Sequence, residues 1–131
     1  MNIEIVNLAE KVATEAHEGQ FRRDGVIPYI THPRAVASRV GNDSDAQVVA
    51  WLHDVIEDCD ITAEDLIEKG FSEGQIKAVK VMTKTEGNSY GEYLEKIACS
   101  PLASKVKIAD MISNLADTPS NKQLKKYAKG L

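Results

Sequence analysis

Cysteine is scarce in this chain. Cys59 and Cys99 are the only two among 131 residues, and they show no CxxC spacing. They cannot staple the loop-rich framework of a small secreted domain, so a reducing compartment is expected, with both thiols buried. Aromatic residues are equally sparse, 5% of the chain with Trp51 as the single tryptophan. The core must therefore be mostly aliphatic, which suits packed helices. No apolar run approaches the roughly 20 residues that cross a bilayer, which argues against a membrane protein. The opening Met1-Asn2-Ile3-Glu4 lacks a basic stretch followed by an apolar one. No secretory signal is read there, and a cytoplasmic location is expected. Positive charge is not in excess either: 16 Lys and Arg face 20 Asp and Glu, a formal net charge of -4. That balance argues against nucleic acid as the main partner and leaves room for a small phosphorylated substrate on a local basic cluster.

What is present is ordinary for a globular protein, 43% hydrophobic and 27% charged residues. The length fits one domain, residues 1–131, able to fold without a disulfide or structural metal. Between Ile3 and Glu18 a helical stripe of Ile5, Leu8, Ala9, Val12, Ala13 and Ala16 ends at Gly19. From Gln20 to His32 the pattern fails and a loop is expected. Pro33 is placed to open a short helix to Val40, because proline suits a first helical turn. Ser44 with Gln47 reads as a capping box before a strongly apolar helix from Val48 to Ile56. Thr62 begins a shorter helix ending at Gly70, and Ser72 with Gln75 caps one running through Ile76, Val79 and Met82. Ser89 with Glu92 opens another, and Ser100-Pro101 starts a helix to about Asp117. A last amphipathic segment carries Leu124, Tyr127, Ala128 and Leu131 on one face, with lysines mostly around the rest. No strand alternation, repeat or linker is found. The reading is all-α, with seven or eight helices in one domain.

Chemistry enters at His53-Asp54, an imidazole beside a carboxylate inside an otherwise apolar helix. A carboxylate buried there without partners would cost several kcal/mol, so it needs a cation or several donors. A divalent metal answers that need, with His53 as a neutral nitrogen ligand. One turn on, Glu57 and Asp58 add two more carboxylates on the same faces as His53 and Asp54. Lys107, Asp110, Asn114 and Asp117 form one side of a later helix. The neighbouring Val106, Ala109, Ile112 and Leu115 suggest that this helix is well buried. Arg22 and Arg23 lie in the Gly/Pro-bounded loop and fit charge-assisted binding of phosphate. His32 sits where that loop meets a helix, and spacing alone leaves both metal ligation and a structural hydrogen bond open. His17 reads as structural. The residues by themselves give a metal site on buried helices with arginines nearby.

These residues also resemble a known family. Ala16-His17-Glu18-Gly19-Gln20, Arg22-Arg23-Asp24-Gly25 and Pro28-Tyr29-Ile30-Thr31-His32-Pro33 look like the opening signature of the hydrolase domain in Rel/SpoT-type alarmone enzymes. His53-Asp54-Val55-Ile56-Glu57-Asp58 looks like that family's HDxxED motif, and Lys107-Ile108-Ala109-Asp110 with Asn114 resembles its third motif. The motifs come in order across residues 9–118. The resemblance implies a helical HD-domain fold with one divalent metal, usually manganese, on His32, His53, Asp54 and Asp110. It implies that Glu57 and Asp58 orient or deprotonate the attacking water. Arg22, Arg23, Lys107, Asn114 and Asp117 would stand at or near the nucleotide, with Lys107 either neutralising a phosphate or bracing Asp110. The implied reaction removes the 3′-pyrophosphate of guanosine tetra- or pentaphosphate.

The chain departs from the family at Met111, where an Arg is usual, at Ser113 for His, at Asp117 for Thr, and at Asp24 for Ser. All four spare the implied ligands and fall on substrate-facing or nearby positions. Three readings follow. The first is a stand-alone alarmone pyrophosphohydrolase. The second is a phosphohydrolase for another small phosphorylated nucleotide. The third is a catalytically silent nucleotide-binding module, which the intact ligand set argues against.

Overall fold

The segment expected to be most apolar does lie at the centre, but it is shorter than its pattern suggests. In the computed structural model, which describes residues 2–117, helix α3 spans Ser44–Leu52 and buries Ala46, Val48, Val49, Ala50, Trp51 and Leu52. It packs against α1 (Ile3–Ala16), α2 (Thr31–Arg39), α6 (Glu73–Met82) and α8 (Pro101–Asp117). The helix stops at Leu52 and resumes as α4 (Val55–Asp58). His53 supplies the reason: its Nδ1–H donates to the Ala50 carbonyl at 2.6 Å, an acceptor that a continuing helix would offer to the N–H of residue 54. A side chain competing for that carbonyl breaks the ladder, and the break falls between His53 and Asp54. The expected helix from Val48 to Ile56 is thus two helices.

The caps show where local chemistry decides and where tertiary contacts override it. Ser72–Gln75 forms the expected capping box, and Thr62 forms one with Asp65 ahead of α5 (Ala63–Glu68). Ser89 caps α7 (Tyr90–Ala98), and Pro101 takes the first position of α8 behind Ser100. Ser44 does not cap α3, because Asp43 accepts from the Ala46 N–H instead. The Ser44 hydroxyl accepts from the Asn2 N–H at 2.6 Å and pins the start of α1.

The 17–30 loop is ordered by its own hydrogen bonds, Arg22 N–H to Ile27 carbonyl and Tyr29 N–H to Gln20 carbonyl, both 2.8 Å. Asp24 accepts from the Val26 and Ile27 N–H groups. The turn from Pro28 carries directly into α2, which begins at Thr31 rather than Pro33. His32 is therefore a helix residue. No strand occurs among the described residues beyond one bridge between Phe21 and Pro28. Eight helices stand among the described residues, none long and apolar enough to cross a membrane.

Two expectations of burial are corrected. On α8 the inward stripe is Ala103, Val106, Ala109, Asp110 and Ser113, whereas Ile112 and Leu115 are exposed. At about 100° per residue Ile112 and Leu115 point away from that stripe, while Ser113 between them stays buried. Cys99 is exposed at the end of α7, and Cys59 is partly buried. The amphipathic segment around Leu124 lies outside the described residues.

Candidate metal centre

Three helices converge on one buried point. His32 comes from α2, His53 and Asp54 from the α3–α4 break, and Asp110 from α8. His32, His53 and Asp110 are each no more than 5% exposed, although all three are polar. His32 Nε2 lies 2.7 Å from Asp110 Oδ1. His53 Nε2 lies 3.0 Å from Asp54 Oδ2 and 3.4 Å from Asp110 Oδ1. One ligand atom from each of His32, His53 and Asp110 falls within 4.8 Å of the others.

The tautomer of His53 makes this a cation site. Its Nδ1 carries the proton donated to Ala50, so in the neutral ring Nε2 presents a lone pair. That lone pair faces two carboxylate oxygens and has no hydrogen-bond partner. Three electron-rich atoms cannot share a buried pocket unless a proton or a metal lies between them. Imidazole nitrogens and carboxylate oxygens are an ordinary donor set for a divalent transition metal such as manganese or zinc. The backbone bond on the far nitrogen is the support that ligating histidines usually have. The residues present fit the ion.

The electrostatics agree. Burial alone would lower the His53 pKa, but the carboxylates of Asp54 and Asp110 outweigh it and push it up to about 10. Burial would raise Asp54, yet His53 and the Tyr29 hydroxyl hold it down to about 2. Asp110 is likewise held below the usual carboxylate range, against burial, by His32, His53 and Lys107. Lys107 Nζ lies 3.1 Å from Asp110 Oδ2 and 5.4 Å from the centre of the Tyr93 ring. It braces Asp110 and does not line the open cleft beside it.

That cleft has a volume of about 400 Å³ and is lined by Phe21, Arg22, Arg23, Tyr29, His32, Asp54, Asp110 and Asn114. It brings the expected arginines and Asn114 together with the ligand set. Asn114 Nδ2 also reaches Asp110 Oδ1, weakly, at 3.4 Å. Glu57 and Asp58 are exposed on α4, close to Asp54 in the chain. Glu57 feels Lys107, while Asp58 feels His17. Burial and the mutual repulsion of the three carboxylates raise both their pKa values. Ser113, expected at a substrate-facing or nearby position, lies next to Asn114 but does not line the cleft. It is fully buried, and its hydroxyl accepts from Arg39 Nε at 2.9 Å. Met111 is exposed, and the Asp117 side chain lies outside the described part of the chain.

Tyr29 was quoted in the loop motif without a role, yet its hydroxyl donates to Asp54 Oδ2 at 2.6 Å. His17 is buried, its Nδ1 lies 2.9 Å from Gln20 Oε1, its Nε2 has no partner among the described residues, and its ring packs on Tyr29. A larger cleft of about 470 Å³, lined among others by Ile67, Phe71 and Lys77, holds no histidine and one carboxylate, Glu73.

The sequence pattern of the HD domain matches residues 9–93. The chain belongs to the HD-domain family. A guanosine-3′,5′-bis(diphosphate) 3′-pyrophosphohydrolase of Haemophilus influenzae is 40% identical to this HD domain over 119 residues, which cover 84% of the chain and 17% of the relative. A probable GTP pyrophosphokinase of Mycobacterium leprae is 35% identical over 139 residues, covering 95% of the chain and 18% of the relative. Among solved structures, one described as a metazoan ortholog of SpoT that hydrolyzes ppGpp superposes with a TM-score of 0.75 at 28% identity. That match covers 86% of this chain and 69% of the other. These relatives place the HD domain with the Rel/SpoT type. The chain spans under a fifth of the length of the two curated relatives.

Proposed function

We propose that this chain hydrolyses the 3′-pyrophosphate of guanosine 3′,5′-bis(diphosphate), or of a closely related nucleotide, with one divalent metal, Mn2+ in the first instance. The observation that carries the reading is one cleft joining His32, His53, Asp54 and Asp110 to Arg22 and Arg23. His32, His53, Asp54 and Asp110 are assigned as the ligands. When bound, a divalent ion polarises a phosphoryl oxygen and lowers the pKa of water at the site. Arg22 and Arg23 hold the pyrophosphate by charge-assisted hydrogen bonds, and their planar guanidinium groups suit its oxygens. Glu57 takes the proton from water as its oxygen bonds to phosphorus and the bond to the 3′ oxygen breaks, and that proton passes on to the departing oxygen, leaving a 3′ hydroxyl and free pyrophosphate. Asp58 orients that water. The raised Glu57 pKa suits a general base, since proton affinity closer to neutrality makes transfer more favourable. Asn114 and Asp117 are assigned to the nucleoside, and Lys107 to holding Asp110. The partner is thus a small molecule, in the cytoplasm, and neither nucleic acid nor a membrane. The relative named for this hydrolysis in Haemophilus influenzae and the SpoT ortholog support the substrate class.

Met111, exposed where family members carry Arg, favours a second reading in which the same centre serves another small phosphorylated nucleotide. The deciding experiment is incubation of manganese-loaded protein with guanosine tetraphosphate and separation of products by anion exchange, with EDTA and Asp54→Ala controls. GDP plus pyrophosphate, lost in both controls, is the expected result. Absence of turnover with metal bound would transfer the assignment to the second reading.

A further inference from the structure

The two carboxylates of the centre are held very unequally. Asp110 has His32 on Oδ1, Lys107 on Oδ2 and a weaker contact from Asn114. Asp54 stands at the N-cap of α4 but makes no capping bond with it, so its own helix does not orient its side chain. Among the described residues, apart from its neighbour His53, the Tyr29 hydroxyl is the donor on that carboxylate. It binds Oδ2, the same oxygen that lies 3.0 Å from His53 Nε2.

Tyr29 is itself fixed from several directions. Its N–H donates to the Gln20 carbonyl and its own carbonyl accepts from the His32 N–H. Its ring packs 4.8 Å from His17 and 5.9 Å from His32, centre to centre, and the Arg22 guanidinium sits 5.9 Å from its centre. A short aspartate side chain with one strong O–H···O bond keeps one rotamer; without it, the carboxylate is free to turn toward the cleft.

We infer that Tyr29 is a positioning residue: its hydroxyl locks Asp54 Oδ2 toward His53 so that the pair is preorganised for a divalent ion, and its ring ties that geometry to the arginine-bearing loop. The inference rests on the assignment of Asp54 and His53 as metal ligands. Outer partners of this kind commonly contribute 10–100-fold in metal affinity.

The test is titration of metal-stripped wild-type, Tyr29→Phe and Tyr29→Ala proteins with Mn2+, following free ion by electron paramagnetic resonance. Circular dichroism and melting in EDTA report the fold of each. Tyr29→Phe keeps the ring and its packing and removes one oxygen, so its melting should stay close to wild type. Its Mn2+ affinity should fall by about 10–100-fold. An affinity within twofold of wild type would overturn the inference, and weak binding confined to Tyr29→Ala would assign the residue to packing alone. Failure of wild type to take up Mn2+ would overturn the metal assignment itself, and the inference with it.

Discussion

The metal centre and the arginine loop face the same cleft but are built by opposite physics. His32, His53 and Asp110 sit among core residues from α2, α3 and α8, where each polar atom must find a partner or leave a cost of several kcal/mol. Their mutual contacts are consequently short, and the carboxylates and His53 have pKa values driven far from ordinary. The loop residues from Phe21 to Pro28 are mostly exposed and rest on backbone turns. Arg22 leans on Tyr29, and Arg23 has no hydrogen bond or ion pair among the described residues. A buried site that leaves His53 Nε2 facing two carboxylate oxygens without a partner is already shaped for an ion. An exposed cation left unpaired keeps its binding capacity for an incoming anion. The proposed ion site is therefore set by the core, and the proposed contacts with an anionic substrate by the surface.

Substitutions that separate chemistry from binding should sharpen this contrast. The largest effect is expected at Glu57, whose replacement by Gln keeps shape and hydrogen bonding while removing the proposed base. We expect kcat to fall roughly 10²–10⁴-fold with Mn2+ still bound. Metal loss in Glu57→Gln would show that the residue belongs to the ion-holding set instead. A smaller effect is expected on the loop. Arg22→Ala and Arg23→Ala should each raise KM by about tenfold, a value ordinary for one charge-assisted contact in partial solvent. Manganese affinity in both should stay at wild type, and KM should rise further with salt. A loop variant that lost metal would erase the boundary between the two regions.

How much of this was legible in the sequence depended on distance along the chain. The caps at Ser72, Ser89 and Ser100 join residues three apart and were readable. The cap expected at Ser44 fell to its neighbour Asp43, and the Ser44 hydroxyl instead serves Asn2, 42 residues away. The helix break after Leu52 was hidden because apolar periodicity records where side chains point. It is blind to an imidazole taking a backbone carbonyl. The same periodicity made Ile112 and Leu115 look buried, although they face away from the stripe on which Ser113 stays buried. Within the site, the ordered motifs named His32, His53 and Asp110, which the fold clusters, and Asp54, which joins them through His53. Tyr29 was missed because its role exists only across 25 residues, in a hydroxyl contact that no local pattern encodes.

The last way to probe the comparison is pH, because the buried region should respond and the loop should not. In the metal-free protein the cation between His53 Nε2 and the two carboxylates is a proton, and His53 titrates near 10 against an ordinary 6.5. A folded pKa above the unfolded one contributes stability that is fully present below about pH 6.5. That contribution is lost as pH rises through about 10. Asp54 runs the other way. Held to about 2 against 3.8, its contribution is present above the unfolded value and lost as pH falls through the folded one. The EDTA-treated protein should therefore melt highest between about pH 4 and 6.5 and progressively lower toward pH 10. A divalent ion takes the place of that proton, so about one proton should be released per ion bound at neutral pH. Affinity should then rise about tenfold per pH unit between 7 and 9. Calorimetry in two buffers of different ionisation heat measures the proton directly. Uptake of Mn2+ without proton release would mean that the metal-free centre is already neutral at His53, and that Asp54 and Asp110 are held apart by something other than imidazolium.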